Sequence, residues 1–217
     1  SWGSSPEAKD STGTHNDGTN TGTSDATGKA RKGRLFDGSD YLTLADAPLD
    51  SAIKTISFWV SISSLANTYT TFYGKNTGNF GFEALVKDNG KLALYTYDAS
   101  DHTQSYDGSG SNTLSTSTWY HIAFSYDHSY LRGYVDGILD KEVSTDGHDL
   151  NTALTGNWII GNSYYSNRFL SGTMDEFRES NNNRDADWIK LEYKSMLKSS
   201  YNGDGGGTKP FVTWSVE

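Results

Sequence analysis

The sequence predicts an all-β protein, a two-sheet antiparallel jelly-roll sandwich with one short C-terminal helix. Three observations support this fold class. Short runs of alternating apolar and polar residues recur along the chain, with turn residues between them. The 23 glycines and only 3 prolines indicate turns built on Gly, Asn and Asp. Aromatic residues make up 13% of the 217 residues, and large rings can build a core although hydrophobic residues reach only 34%.

The predicted strands follow a polar, loop-rich segment, residues 1–33, which we assign to the same single domain covering residues 1–217. Hairpin turns are indicated at Asp88-Asn89-Gly90 and at Asp136-Gly137. The strand-like runs are, in order, RLFDGSDYLTL, TISFWVSIS, TTFYGK, FGFEALV, KLALYTY, WYHIAFSYD, YLRGYVDGILDKEV, NWIIGN, FLSGTMDEFRES and PFVTWSV. Within TISFWVSIS the apolar set is Ile56, Phe58, Val60 and Ile62, with a period of two. About ten to thirteen short strands predict a sandwich.

One segment breaks the strand pattern. The spacing of the apolar residues in DADWIKLEYKSML predicts a short helix over residues 185–197. Asp185 or Asp187 near its start favours the helix N-terminus. Trp59 and Trp119 lie inside strand patterns, so we predict that both belong to the core.

Charge and composition exclude several classes of function. The net charge is −9 and the pI is about 4.9, so a phosphate backbone would be repelled and nucleic acid is not a predicted partner. No apolar stretch approaches the roughly 20 residues of a membrane span, so membrane insertion is not predicted either. The absence of cysteine excludes thiol catalysis, thiolate metal sites and disulfides.

Five motifs occur in an order that resembles bacterial laminin-G-like domains of the concanavalin A-like lectin/glucanase superfamily. They are KDSTGTHNDGT with GRLFDGSDYLTL, then TISFWVSIS, WYHIAFSYD, YVDGILDKEV and the closing IIGNSYYSNRFLSGTMDEFRES with its helix. The likeness runs from about Lys9 to the C-terminus, although the residues before it are less apolar than the first strand of the family. The resemblance implies a module of a secreted or cell-surface protein.

The same resemblance implies a structural calcium ion. Its ligands would be Asp10, Asn16 and Asp175, with backbone carbonyls completing the oxygen shell. The residues alone leave alternatives open. Asp10 and Asn16 are equally suited to capping turns. The alternative for Asp175 is a structural role as a buried carboxylate that accepts hydrogen bonds from backbone N–H groups.

A catalytic role finds no support in the sequence. Glycoside hydrolases need two carboxylates about 5–9 Å apart across the scissile bond. The resemblance implies that in the related hydrolases they lie on one strand as Glu-x-Asp-x-x-Glu, and that pattern is absent here. Asp175, Glu176 and Glu179 come nearest and have the wrong order. We therefore predict that the chain is not an enzyme.

Two polar regions carry aromatic residues suited to the apolar faces of sugar rings. The first contributes Tyr164, Tyr165, Asn167 and Arg168, and the second contributes Tyr97, Asp101, His102 and Tyr106. The alternative is that these tyrosines cover the ends of the sandwich and bind nothing. The leading hypothesis is a calcium-stabilised extracellular module that binds a glycan or cell-surface polysaccharide or acts in adhesion, next to other domains of a larger surface protein. A structural or protein-interaction domain of a bacterial surface assembly is the second hypothesis, and a glycoside hydrolase the third.

Overall fold

The computed structural model describes residues 7–8, 17–30, 32–44, 53–75, 81–97, 103–147, 149–150, 156–163 and 167–197, and the predicted strand PFVTWSV lies outside them. These residues form fifteen strands and one helix. The elements are β1 (Glu7–Ala8), β2 (Gly18–Thr21), β3 (Ser24–Thr27), β4 (Lys32–Asp37), β5 (Tyr41–Leu44), β6 (Lys54–Ile62), β7 (Tyr69–Lys75), β8 (Gly81–Lys87), β9 (Leu92–Tyr97), β10 (Thr103–Asp107), β11 (Trp119–Tyr126), β12 (Tyr130–Val135), β13 (Ile138–Ser144), β14 (Trp158–Ile160), β15 (Ser171–Ser180) and α1 (Ala186–Leu197).

The strands form two antiparallel sheets, which confirms the predicted jelly-roll sandwich. The eight-stranded sheet has the order β1-β2-β5-β14-β7-β8-β9-β10, and the seven-stranded sheet has the order β13-β12-β11-β6-β15-β4-β3. Six of the thirteen neighbouring pairs join strands that are not consecutive in sequence, as β14 shows by lying between β5 and β7. In such a sandwich, the inner face of each sheet carries apolar side chains, and the two inner faces pack against each other.

The core follows the period of two in the strands. Ile56, Phe58, Val60 and Ile62 of β6 are all fully buried and belong to one hydrophobic cluster, as predicted. The facing strands of the eight-stranded sheet contribute Phe72, Tyr73, Phe82, Ala84, Val86, Leu92, Leu94, Trp158 and Ile160 to the same cluster. Because successive side chains of a strand point to opposite faces, the residues between these core positions lie on the outer face of the sheet.

The hairpin between β12 and β13 has the predicted turn. Val135 pairs with Ile138, which leaves Asp136 and Gly137 as a two-residue loop. Their φ angles are 52° and 75°. Positive φ at both central positions is the geometry that suits the right-handed twist of hairpin strands and that an Asp-Gly sequence adopts at low cost.

The polar N-terminal segment contains more strand than its composition indicates. Strands β1, β2 and β3 and the start of β4 all lie within residues 1–33. Strand β2 pairs with β5, and β3 pairs with β4. Both strands carry mostly exposed or half-buried residues, so they are stabilised mainly by backbone hydrogen bonds to a partner strand. For the same reason, the pattern of apolar residues in the sequence does not predict them.

Helix α1 packs against the outer face of the seven-stranded sheet and begins one residue after the predicted start. Asp185 accepts a hydrogen bond of 2.7 Å from the backbone N–H of Trp188, which caps the helix N-terminus. Ile189 is fully buried against Ala123 and Tyr134. Within the described part of the chain, no helix has the length and apolar character needed to cross a membrane.

The helix buries two residues of the sheet that lie opposite the main core. Trp59 is 1% exposed and donates its indole N–H to the sulfur of Met196, so it is buried as predicted, but under α1. His121 is fully buried beside it, with the ring centroids 5.4 Å apart. Trp119, at the first position of β11, is only half-buried, so its predicted place in the core is wrong.

Candidate functional site

Four of the predicted ligand-binding residues lie in the described part of the chain. Tyr97 ends β9, Tyr106 lies in β10, and Asn167 and Arg168 precede β15. Asp175, one of the predicted calcium ligands, is also described, whereas six predicted site residues lie outside the described residues: Asp10, Asn16, Asp101, His102, Tyr164 and Tyr165.

Tyr106 does not belong to a binding surface, and its predicted role is wrong. Its side chain is 2% exposed and is part of the main hydrophobic cluster. It pairs with Leu94 in the register of β9 and β10, so it points into the sandwich. Its hydroxyl lies so close to Gly133 that a Cβ atom there would overlap it. Burial, with a smaller contribution from the charge of Asp140, raises the pKa of Tyr106 well above its ordinary value.

The candidate site lies on the outer face of the eight-stranded sheet, where β7, β8, β9 and β10 are adjacent. Leu85 and Ala93 pair across β8 and β9 on this face. Both are fully buried although they lie outside the main core cluster. Other groups therefore cover them, and the groups that border them on the adjacent strands are polar and aromatic.

Three tyrosines on this outer face, Tyr69, Tyr95 and Tyr97, form what we name the tyrosine face. The centroids of the Tyr69 and Tyr95 rings are 6.3 Å apart with an angle of 77° between the planes. Tyr95 and Tyr97 have centroids 6.5 Å apart and planes only 18° apart. All three side chains are half-buried, so each presents part of its ring to solvent. Such rings offer apolar area with a hydroxyl at the edge.

Arg168 extends the tyrosine face at one side. Its guanidinium carbon lies 4.7 Å from the centroid of the Tyr69 ring, in cation–π geometry. Its Nη1 donates a hydrogen bond of 2.9 Å to Oε2 of Glu83. The backbone is also fixed here, since the N–H of Thr71 donates to the carbonyl oxygen of Arg168 at 2.8 Å. The arginine is therefore held at both its backbone and its side chain.

A groove runs beside this arginine. It has a volume of about 360 Å³. Its walls combine the loop before β7 with the segment before β15, and the lining residues are Ala66, Asn67, Thr68, Tyr69, Asn167 and Arg168. Asn167 is exposed and carries both a donor and an acceptor for hydroxyl groups. The first predicted region thus contributes two of its residues to a concave surface.

Asp107 and Lys87 border the tyrosine face at the other side. Lys87 Nζ lies 3.0 Å from Asp107 Oδ1, and this hydrogen bond raises the pKa of Lys87. The hydroxyl of Tyr69 lies 3.4 Å from Asp107 Oδ2, and the hydroxyl of Tyr95 lies 3.5 Å from that of Tyr69. Burial and the hydrogen bond to Tyr69 raise the pKa of Tyr95, so it remains a neutral hydroxyl at physiological pH.

Tyr69 and Tyr95 were not among the residues predicted from the sequence to bind a ligand. Tyr95 alternates with core residues in the predicted strand KLALYTY, so the period of two contained the signal for it, whereas Tyr69 precedes the predicted strand TTFYGK. In KLALYTY, Leu92 and Leu94 face the core, which places Tyr95 and Tyr97 together on the other face. The second predicted region is also not one continuous polar stretch after Tyr97, because residues 103–107 form β10.

Asp175, the described member of the predicted calcium ligands, is buried at 1% exposure. Its Oδ2 accepts the backbone N–H of Ala30 at 2.9 Å, and its Oδ1 accepts that of Glu176 at 2.8 Å. Each oxygen keeps a lone pair, but the described residues bring no cluster of three His, Asp or Glu side chains together. The other predicted calcium ligands, Asp10 and Asn16, lie outside the described residues.

Two of the three acids that come nearest to the hydrolase pattern, Asp175 and Glu176, have other partners in the structure. Glu176 has a φ of 52° at an irregularity of β15, and its Oε2 accepts Nη2 of Arg178 at 2.7 Å. Asp175 is committed to two backbone N–H groups, as described above. The two carboxylates therefore stabilise a strand irregularity.

Comparison with known proteins identifies the family. The family model described as the concanavalin A-like lectin/glucanases superfamily matches residues 36–190. The chain therefore belongs to this superfamily, in its laminin-G-like branch, which confirms the resemblance seen in the sequence motifs. A search of curated protein sequences found no match.

Solved structures share the fold. Domain 4 of AbnA, a GH43 extracellular arabinanase from Geobacillus stearothermophilus in complex with arabinotriose, is 24% identical with a TM-score of 0.70, covering 84% of this chain and 91% of that one. The binding domain of Paraclostridial Mosquitocidal Protein 1 is 17% identical with a TM-score of 0.73, covering 89% of this chain and 51% of that one. The ligand binding domain of botulinum neurotoxin serotype D in complex with N-acetylneuraminic acid is 16% identical with a TM-score of 0.63. The match covers 86% of this chain and 48% of that one. This chain spans about half the length of the two toxin domains.

Proposed function

We propose that this chain is a non-catalytic carbohydrate-binding module that takes its glycan on the tyrosine face. The observation that carries the proposal is the arrangement of Tyr69, Tyr95 and Tyr97 beside a groove with fixed polar groups. Flat rings match the apolar faces of sugars, and a few oriented donors and acceptors match the hydroxyls. The named structural neighbours include domains solved with arabinotriose and with N-acetylneuraminic acid, which supports the same class of ligand.

Glycan binding is tested with the full chain on an array of plant, bacterial and animal glycans, followed by calorimetry on the best ligand. Tyr95→Ala should weaken binding by roughly tenfold, the scale of one lost aromatic contact. The matched control is Tyr130→Ala, which removes a 37% exposed tyrosine from the other sheet and should leave binding unchanged. Absence of binding to every glycan, or equal losses in both variants, would contradict the proposal.

An extracellular setting and a calcium ion are further parts of the proposal. One structural neighbour belongs to an extracellular arabinanase, and this supports secretion of the parent protein. If calcium binds Asp175 together with the oxygens of Asp10 and Asn16, it would link the N-terminal segment to β15. At a calcium concentration of a hundred times its Kd, the stabilisation would be about 2.7 kcal/mol. Thermal melting with calcium and with chelator measures this difference, and equal melting temperatures would exclude the ion.

A protein-interaction role is the second candidate, because an edge strand exposes apolar side chains. Strand β13 ends the seven-stranded sheet, and its Ile138 and Leu139 are 66% and 45% exposed. Edge strands with such residues are sites where another chain can pair. Analytical ultracentrifugation at increasing concentration tests self-association, and Ile138→Lys should abolish it. A monomer at all concentrations would count against pairing with a second copy of this chain.

A further inference from the structure

The charges around the tyrosine face are arranged in two internal pairs. The described residues that border the face include two cations, Arg168 and Lys87, and two carboxylates, Glu83 and Asp107. Arg168 Nη1 lies 2.9 Å from Glu83 Oε2, and Lys87 Nζ lies 3.0 Å from Asp107 Oδ1. Each cation of the face is therefore already matched by a carboxylate of the same face.

The side chain of Glu83 is more deeply buried than that of Asp107. Its side chain is 9% exposed, whereas that of Asp107 is 40% exposed. Its second oxygen, Oε1, accepts the hydroxyl of Thr71 at 3.2 Å. A carboxylate that is removed from water and bonded at both oxygens does not swing away easily, because an unpaired charge would remain buried. A ligand carboxylate would therefore have to compete with Glu83 for the guanidinium.

The segment that connects β9 to β10 contains aspartate and no lysine or arginine. The five residues that connect β9 to β10, 98–102, include Asp98 and Asp101. The net charge of the whole chain is −9. An anionic ligand would approach against this charge, and like charges brought together at an interface select against a partner.

We infer that the tyrosine face takes uncharged glycan chains and excludes glycans that carry carboxylates, and that Glu83 enforces this selectivity by occupying Arg168. The inference rests on the proposed function of the same face. Hydroxyl groups need only neutral donors and acceptors, which Asn167 and the tyrosine hydroxyls supply. Uronates and sialic acids need an available cation, and the two cations described here are engaged within the face.

The experiment compares the full chain on neutral polysaccharides and on uronate-containing polysaccharides, and then on one matched pair. The matched pair is the best neutral ligand and the same polymer after oxidation of some hydroxymethyl groups to carboxylates. We expect the wild type to bind the neutral form at least about tenfold more tightly, because the carboxylates of the oxidised form would lose water without gaining a cation as partner. Binding of the neutral form should also be insensitive to salt.

The variant Glu83→Gln tests the residue that enforces the selectivity. Glutamine has nearly the same shape and leaves the charge of Arg168 unmatched, so the preference for the neutral form should fall by about tenfold. The control Glu142→Gln changes the net charge equally, in the Arg132 pair of the other sheet, and should keep the preference. If Glu83→Gln does not fold, the salt dependence of wild-type binding still tests the inference.

The possible results distinguish a failure of the selectivity inference from a failure of the proposed glycan-binding function. Tighter, salt-sensitive binding of the acidic form by the wild type would overturn the inference and leave the proposed glycan-binding function intact. An unchanged preference in a folded Glu83→Gln variant would overturn the role of Glu83. If the wild type bound neither form nor any other glycan, the proposed function itself would fail.

Discussion

The guanidinium carbon of Arg168 lies 4.7 Å from the centroid of the Tyr69 ring. This contact joins the segment before β15 to the first residue of β7, so two distant parts of the sequence meet at one edge of the tyrosine face. A planar guanidinium can lay its flat face on a ring while an N–H at its edge bonds a carboxylate in a fixed direction, whereas lysine offers only a compact charge without that planar geometry. The pair therefore fixes the orientation of Tyr69 before any ligand arrives.

Arg168→Lys keeps the charge and removes this stacking. We expect a loss of about 1 kcal/mol in the free energy of unfolding, because a cation–π contact and part of the bond to Glu83 are lost. Glycan affinity should fall several-fold, since Tyr69 is then less well oriented. Chemical denaturation and calorimetry measure the two effects. Arg132→Lys, in the other sheet, is the control for affinity, and equal binding by Arg168→Lys and wild type would contradict the orienting role.

Tyr106→Phe tests the corrected position of a residue that the sequence placed at the ligand. The Tyr106 hydroxyl has no hydrogen-bond partner among the described residues. Its removal should leave glycan binding unchanged and should keep or raise the free energy of unfolding, by up to about 1 kcal/mol, because a buried polar group without a partner costs stability. Denaturation and calorimetry measure both. Weaker glycan binding in a stable Tyr106→Phe variant would show that the hydroxyl reaches the ligand.

The elements that the sequence predicted well are those whose own side chains decide them. Strand β6 has Ile56, Phe58, Val60 and Ile62 at a strict period of two, and helix α1 has an apolar stripe with Asp185 at its start. The turn at Asp136-Gly137 follows from residue types that tolerate positive φ. In each case the relevant physics is local, so a single sequence contains it.

The missed elements depend on partners that a sequence does not reveal. Strands β2, β3 and β10 bury few apolar residues and exist because neighbouring strands supply hydrogen bonds. The error at Tyr106 has the same origin. Tyr97 pairs with Thr103 on one face and Tyr106 pairs with Leu94 on the other, and only the register of the hairpin decides this. The tyrosine face was therefore only partly predictable.

Asp175→Asn separates a structural role of this carboxylate from a role in calcium binding. Both of its oxygens accept backbone N–H groups, and an amide offers only one acceptor oxygen. We expect the free energy of unfolding to fall by about 1–3 kcal/mol in chelator, from the N–H group that loses its partner. If calcium binds there, the variant should also lose the increase in melting temperature that calcium gives the wild type.

The control for that experiment is Asp149→Asn, which alters an exposed carboxylate beside His128. It should keep both the wild-type stability and the wild-type response to calcium. Asp175→Asn with a full calcium response would remove Asp175 from the ligand set, while the loss of stability in chelator would still follow from the two backbone hydrogen bonds.

Glu192 should make the stability of the helix packing depend on acid pH. Its side chain is 4% exposed, Arg178 donates to Oε1 at 2.6 Å, and Ser57 donates to the same oxygen at 3.0 Å. His121 Nε2 lies 3.5 Å from Oε2. Burial alone would raise the pKa of Glu192, but the hydrogen bonds and charges of His121 and Arg178 outweigh it and lower the pKa below its ordinary value.

A carboxylate with a lowered pKa in the folded state adds stability above its unfolded pKa of about 4.3, and this contribution is lost as the pH falls through the folded value. Glu192→Gln cannot ionise, so it should be less stable than the wild type by about 1–3 kcal/mol at pH 7. The difference should shrink steadily below about pH 4. Urea denaturation from pH 7 to pH 3 measures it, with Glu142→Gln as a control for an exposed pair. A difference that stayed constant with pH would mean that shape and packing, not charge, hold α1 on the sheet.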